Sequence, residues 1–409
     1  MRSHYVSALI AEGLTQGGML ATFFYIGALI SPIAVLEYAL VRRIFSFIFP
    51  ICMLGFDTGL ARFGWTYQKK IHSLIYTALL LSLSMVVLFS LFALLFQRQF
   101  INLAFGSSDY AHYLIPLCAL LAGGIFHASA YNAYRGMLKT HTANILLVLN
   151  HGLTPLILVF ASDSVDDLLI RTGIIWILFS SCALMPLLWK LRTESFDRAA
   201  SRTTLFFGLK RFPADLLQIA FFSLPVIFAA HIWGTSAAGQ LALGISLIGM
   251  AGSAFSPFNV VFLPHISKLV SEYSLSAVVK KAGIYSIYLL AALSLLLIIG
   301  EIFLARIVPL IFHSNDPEFI MLLRVLLLGI IPYCIYSFSK SAIDMHRDGS
   351  HNSRNMGIAF VVFIVLLGIG GIVHLPFVSS AAWIVVSLAV LSLLTLYDIK
   401  KFIASHNSV

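Results

Sequence analysis

The sequence predicts an all-α polytopic membrane protein, with about twelve transmembrane helices in two parallel six-helix lobes around a central cleft. Three observations carry that prediction. Hydrophobic residues make up 60 % of the 409 residues and charged residues only 11 %, against roughly 25 % charged in soluble domains. The apolar residues gather into runs of about 20, the length that crosses a bilayer core as a helix. The longest polar break, residues 190–211, leaves six such runs on either side. A water-soluble exterior needs more charge than this chain holds, and a disordered chain needs far less apolar residue. Both classes are excluded.

The runs lie near 6–30, 39–61, 73–96, 111–133, 143–161, 172–189, 213–232, 240–263, 283–305, 319–341, 355–373 and 380–397. The first is the least apolar, carrying Glu12, Thr15, Gln16 and four glycines by residue 27, and is expected to face protein or a cavity. The runs near 143–161 and 355–373 have the least spare length. Prolines at 50, 116, 155, 225, 257, 309 and 332 fall within or at the ends of runs and are expected to bend them. The five tryptophans, Trp65, Trp176, Trp189, Trp233 and Trp383, read mostly as interface anchors.

Sidedness follows from the basic residues. With the N-terminus in the cytoplasm, 20 Lys and Arg lie inside and six, Arg42, Arg43, Arg98, Arg171, Arg306 and Arg324, lie outside. Both termini are then cytoplasmic. The excess of 26 basic over 17 acidic residues is spread through the short loops. It suits anionic phospholipids and not nucleic acid, which needs basic residues clustered on one element. Cys52, Cys118, Cys182 and Cys334 lie isolated within apolar runs and read as free thiols. No cleavable leader is expected, because the apolar run after Arg2 continues well past a signal h-region.

The break at 190–211 divides the chain into an N-terminal lobe, 1–200, and a C-terminal lobe, 201–409, which echo each other. Tyr38-Ala39-Leu40 opens the second span and Gln240-Leu241-Ala242 the eighth, 202 residues later. Leu103-Ala104-Phe105 matches Leu310-Ile311-Phe312, and Asp109 matches Asp316, both at an offset of 207. Arg135–Lys139 then answers Ile343–Arg347 at 208. Six-helix parallel repeats imply a pseudo-two-fold axis along the membrane normal with a cleft between halves.

This organisation, with the patches EYALVRRIFSFIFPICMLGFDTGLARF (37–63), VPLIFHSNDPEF (308–319) and LRVLLLGIIPYCIYSFSKSAIDMHRDGS (323–350), resembles the polysaccharide transporter family of O-antigen and capsule flippases. That family belongs to the superfamily of multidrug, oligosaccharidyl-lipid and polysaccharide exporters. Glu37-Tyr38 stands at the start of the second span without the family's glycine, and Leu54-Gly55 with Ala61-Arg62-Phe63 matches its exit. The resemblance implies a two-lobed bundle in the bacterial inner membrane. Alternating access there would carry an undecaprenyl-diphosphate-linked oligosaccharide repeat unit across the bilayer. A polysaccharide polymerase and a chain-length regulator are the implied partners. An H+ or Na+ gradient is the implied energy source, with no cofactor and no enzymatic activity.

Such a cargo asks for cations that meet diphosphate and for weak polar contacts that meet sugar. The cationic candidates are Arg42, Arg43, Arg62, Arg135, Lys139, Arg324 and Arg347. Each has a plainer reading as a snorkelling anchor or a positive-inside residue. Arg135 and Lys139, four apart, are expected to share a helix face. The mid-span polar residues His127, His151, Asn150 and Asn259 are candidates for sugar contact, set against the commoner role of joining helices. His127 and His151 have no further ligand at metal spacing. For ion coupling the candidates are Glu12, Asp57 and Glu301, with Asp215 also inside a span. Glu301 is expected to pair with Arg306 along its helix.

Two other readings stand beside this one. A small-solute or multidrug exporter of the same superfamily would have a smaller, mostly apolar pocket. A membrane-embedded glycan polymerase or ligase would carry a large catalytic outer loop, whereas the outer loops here are short. No Walker P-loop is present.

Overall fold

A computed structural model describes residues 2–192, 195–253, 275–346, 350–373 and 375–406. Among them all regular structure is helical. The α-helices are α1 Arg2–Leu29, α2 Pro32–Met53, α3 Phe56–Phe63, α4 Ile71–Leu95, α5 Gln97–Phe105, α6 Leu114–Gly136, α7 Thr140–Leu147 and α8 Thr154–Leu158. They continue with α9 Val165–Leu188, α10 Arg198–Ile232, α11 Thr235–Ser253, α12 Leu275–Phe312, α13 Pro317–Leu327, α14 Ile330–His346, α15 Ser350–Ile372 and α16 Ser379–His406.

Ten helical stretches are long and apolar enough to cross a membrane, and the bent pair α2–α3 makes an eleventh. The twelfth is α1. Its 28 residues span about 42 Å at 1.5 Å per residue, but Glu12 and Gln16 lower its apolarity. Side chains cap the helices where the sequence offers them. Ser31 Oγ accepts from the Ala34 N–H at 3.1 Å ahead of Pro32, whose fixed φ suits the first helical position. Ser164 caps α9 in the same way through the Asp167 N–H at 3.2 Å.

Among the described residues, one predicted proline bend lies beside a sharp break. Pro50 stays inside α2, and four residues later the chain turns by 62° between α2 and α3. Leu54 (φ 51°) and Gly55 (φ 74°) both adopt the left-handed region there, a conformation that stops a right-handed helix. Gly55 lies against Gly208 of α10, where a Cβ would run into the Gly208 carbonyl. Pro116, Pro225 and Pro309 are carried within α6, α10 and α12, whereas Pro257 lies outside the described residues.

The chain forms two compact units, Val6–Ala242 and Leu243–Val409 together with the first five residues. Compactness therefore divides it at 242/243, beyond the polar break at 190–211. The cause is α10, which is fastened along its length to the helices before it. At its start the Asp197 N–H donates to Ser73 Oγ at 3.0 Å, and Ser201 Oγ donates to the Ser73 carbonyl at 3.3 Å. Further on, Thr204 lies against Gly59 and Gly208 against Gly55. Ser223 Oγ then meets the Arg43 carbonyl at 3.4 Å, and the His231 ring meets the Leu103 carbonyl at 3.0 Å. Small residues at these crossings let the backbones approach closely.

The echo between the halves reappears as geometry. After α5, Gly106 is left-handed (φ 77°) and Ser107 Oγ accepts from the Asp109 N–H at 3.2 Å. After α12, at the same offset of 207, His313 is left-handed (φ 52°) and Ser314 Oγ accepts from the Asp316 N–H at 3.4 Å. Two chain reversals with one sequence spacing use the same turn.

Candidate functional site

A buried polar cluster lies in the first unit and is assembled by a change of helix type. Between α7 and α8 the residues Val148–Leu153 form a π-helical turn. A wider turn shifts the side-chain register and loosens the main-chain ladder, which is why such turns gather at functional sites. Thr154 Oγ1 accordingly donates to the Leu149 carbonyl, five residues back, at 2.7 Å. Gly152 makes the turn compatible with α1: Thr15 lies against it, and its own backbone fills the space beside Gly18.

The turn brings Asn150 and His151 to face α6 and α9. Asn150 is fully buried, and its amide nitrogen lies 2.9 Å from His127 Nδ1 and 3.0 Å from Ser180 Oγ. The indole N–H of the fully buried Trp176 donates to the Asn150 main-chain carbonyl. The two imidazoles meet edge to face, with ring centres 4.4 Å apart, and His151 lies equally close to the Trp176 ring. Tyr131 stacks on the other side of His127 at 5.7 Å. The Asn150 side-chain oxygen is buried with no hydrogen-bond partner.

One cation joins this cluster. The Arg42 guanidinium lies 5.8 Å from the ring centres of both Trp176 and Tyr38. It is 3.4 Å from the Tyr38 hydroxyl and 3.7 Å from Met19 Sδ. Aromatic faces and a thioether hold it, with no carboxylate among the described residues paired to it. Glu37, next to Tyr38, is engaged elsewhere and accepts from the Tyr113 hydroxyl at 2.8 Å.

The arrangement has a definite chemical capacity. As placed, the Asn150 amide donates to His127 Nδ1, which makes that nitrogen an acceptor and His127 neutral. A protonated ring carries an Nδ1–H, as does the other neutral tautomer, and rotation of the amide would offer its unpartnered oxygen to that hydrogen. The cluster can therefore serve either protonation state of His127 by turning one side chain. It supplies two imidazoles and a single free oxygen, whereas hard cations take several oxygen ligands.

Of the predicted residues, the structure brings Arg42, His127, Asn150 and His151 together. Arg43, the next residue along α2, lies about 100° round the helix from Arg42, and its main-chain carbonyl accepts from the Ser223 hydroxyl of α10. Arg62 is exposed at the end of α3, its guanidinium 4.7 Å from the Phe207 ring centre. Arg135 and Lys139 do not share a helix face: α6 ends at Gly136 and Leu138 is left-handed (φ 60°). Gly136, the last residue of α6, lies against the Leu60 carbonyl and Gly64.

Glu301 does not pair with Arg306, which is five residues on and so points well round the helix. It lies 4.0 Å from Arg324 on α13, in the second unit. Glu12 accepts from Gln16 Nε2 at 2.7 Å, and Asp57 sits in the first turn of α3, in the unit that holds the Arg211–Asp215 pair of α10. Neither joins the histidines. Asn259 and Arg347 lie outside the described residues.

Sequence reasoning missed Trp176, which is no interface anchor but the buried centre of the cluster; Trp383 is also buried, whereas Trp65 and Trp189 are exposed. Ser180 and Tyr38 were missed too. The signal that could have found the site was the polar pair Asn150-His151 beside Gly152, in the middle of an apolar run.

No protein-family profile matches the chain, and no curated protein matches it in sequence. Its fold is nonetheless shared with solved transporters over nearly the whole length. A multidrug resistance MATE family transporter of the MOP superfamily in its inward-facing conformation superposes with a TM-score of 0.80 at 14 % identity, covering 99 % of both chains. An outward-facing structure of such a transporter gives 0.63 at 17 % identity, covering 99 % of this chain and 96 % of that one. The Vibrio cholerae MATE transporter VcmN in its bent form gives 0.60 at 16 % identity, with 99 % of each chain covered. These superpositions show a common fold, and at such low identity the fold alone.

Proposed function

We propose that this protein is a membrane transporter that exports an amphipathic organic solute by alternating access, with a proton as the coupling ion. The observation that carries the reading is the full-length likeness to transporters of one fold solved in both inward- and outward-facing conformations. It supports a small-solute exporter ahead of the polysaccharide flippase that the local sequence patches suggest. The His127–Asn150–His151 cluster is the coupling site in this reading. Imidazole is the side chain whose ordinary pKa lies nearest neutrality, and the free amide oxygen gives the added proton a partner.

A second reading keeps undecaprenyl-diphosphate-linked oligosaccharide as the cargo and the bacterial inner membrane as the location. The part-exposed Arg42, with no carboxylate among the described residues bonded to it, favours that reading, because a guanidinium suits phosphate.

Both readings are tested with the full chain in proteoliposomes under an imposed pH gradient. The exporter reading expects cationic or zwitterionic dyes to accumulate only with the gradient, and His151→Gln to abolish that drive. If no dye moves, and depletion in cells leaves the polyprenyl-linked oligosaccharide on the cytoplasmic leaflet, the second reading replaces it.

A further inference from the structure

At one end of the first unit, three segments distant in sequence are tied into a single basic and aromatic edge. Ser73, near the start of α4, is the tie, bonded to both Asp197 and Ser201. Beside it Lys70 Nζ lies 3.5 Å from the carbonyl and the hydroxyl of Ser195, in the connector before α10. One turn along α4, Tyr76 meets the connector's Phe196 edge to face, 6.0 Å between ring centres. These rings are 44 % and 42 % exposed, so they cover each other without being sealed from the surroundings.

The first turns of α10 extend this edge. The helix has 35 residues, about 52 Å at 1.5 Å per residue, while the hydrocarbon core takes roughly 30 Å. Its first part therefore has length to spare for the interface. Ala200, Ser201, Thr204 and Gly208 are buried against α3 and α4, and the opposite stripe holds Arg198, Arg202 and Phe206, all exposed. The Arg202 guanidinium lies 5.3 Å from the Phe206 ring centre.

Among the described residues the charge on this edge is mostly positive. Lys69, Lys70, Arg198 and Arg202 stand together, and none has a described carboxylate within ion-pair distance. The one described acid among them, Asp197, is committed to capping α10 through the Ala200 N–H at 2.9 Å. The positive-inside rule accounts for basic residues in these loops. It does not account for their gathering on three interlocked segments, interleaved with half-exposed aromatic rings.

We propose that this edge, built from Lys69, Lys70, Phe196, Arg198, Arg202 and Phe206, is a docking site for the headgroup of an anionic phospholipid. The lysines and arginines meet the phosphate, and the aromatic rings sit at headgroup depth against the upper acyl chain. Because α10 is fastened to α2, α3 and α4, a lipid held here braces the first unit. The site is independent of what the protein carries, so it stands or falls separately from the transport reading.

The test is native mass spectrometry of the full-length protein in detergent, titrated with phosphatidylglycerol or with phosphatidylcholine. Wild type is expected to hold phosphatidylglycerol about tenfold more tightly, since each cation near an anionic lipid contributes a several-fold factor. Lys69→Gln/Arg198→Gln/Arg202→Gln is expected to lose that preference while keeping the lipid-free melting temperature. A control with as many exposed charges removed elsewhere, Arg98→Gln/Arg171→Gln/Arg306→Gln, is expected to keep it. Equal retention of the two lipids by wild type overturns the proposal, as does equal loss in the control variant.

Discussion

The indole of Trp176 donates its N–H to the main-chain carbonyl of Asn150, joining α9 to the π-helical turn at the residue whose side chain also meets His127. A π turn displaces carbonyls from their usual i+4 partners, and a carbonyl so displaced inside a membrane protein needs a donor. Trp176 is that donor. One bond thus holds both the backbone irregularity and the register of the two histidines.

Trp176→Phe keeps the ring and removes the donor. We expect a loss of about 1–3 kcal/mol, the cost of a buried polar group left unsatisfied, measured as a lower melting temperature of the purified protein. A melting temperature equal to wild type would show that the Asn150 carbonyl finds another partner.

The histidine cluster predicts a pH signature. His151→Gln and His127→Gln are each expected to abolish solute accumulation driven by a pH gradient while sparing downhill exchange, followed by dye flux in proteoliposomes. The Asn150→Leu variant is expected to do the same, since it removes the amide that serves both ring states. Undiminished gradient-driven flux in all three would remove the cluster from coupling.

The helix break predicts an asymmetry among glycines. Gly208→Ala places a methyl against the Gly55 backbone and is expected to destabilise by about 1–3 kcal/mol through overpacking. Gly13→Ala, on α1 with open space around it, is expected to be neutral or slightly stabilising. Detergent melting curves of the two variants side by side check the contrast.

The Arg324–Glu301 pair lies 4.0 Å apart with 47 % and 30 % of the two side chains exposed. A pair so open is worth about 0–1 kcal/mol. The double-mutant cycle of Arg324→Gln and Glu301→Gln should therefore give a coupling below about 1 kcal/mol in thermal unfolding. A larger value would mark the pair as a structural clamp of the second unit.

The sequence by itself determined the class of fold, the number of spans and the internal echo. Each rests on local quantities: the transfer cost of a side chain into hydrocarbon, the length of helix that crosses it, and a turn motif that recurs from Phe105-Gly106-Ser107 to Phe312-His313-Ser314. The sequence also singled out Arg42, His127 and His151 separately, because polar groups in an apolar run are visible in one dimension. Only the tertiary structure decided that these three meet, that Trp176 stands among them, that Glu301 reaches Arg324 and not Arg306, and that α10 belongs with the helices before it. Those outcomes turn on register. A π turn, a left-handed Leu138 or a glycine crossing shifts a side chain by a fraction of a helical turn, and which neighbour it then meets depends on helices far away in the chain.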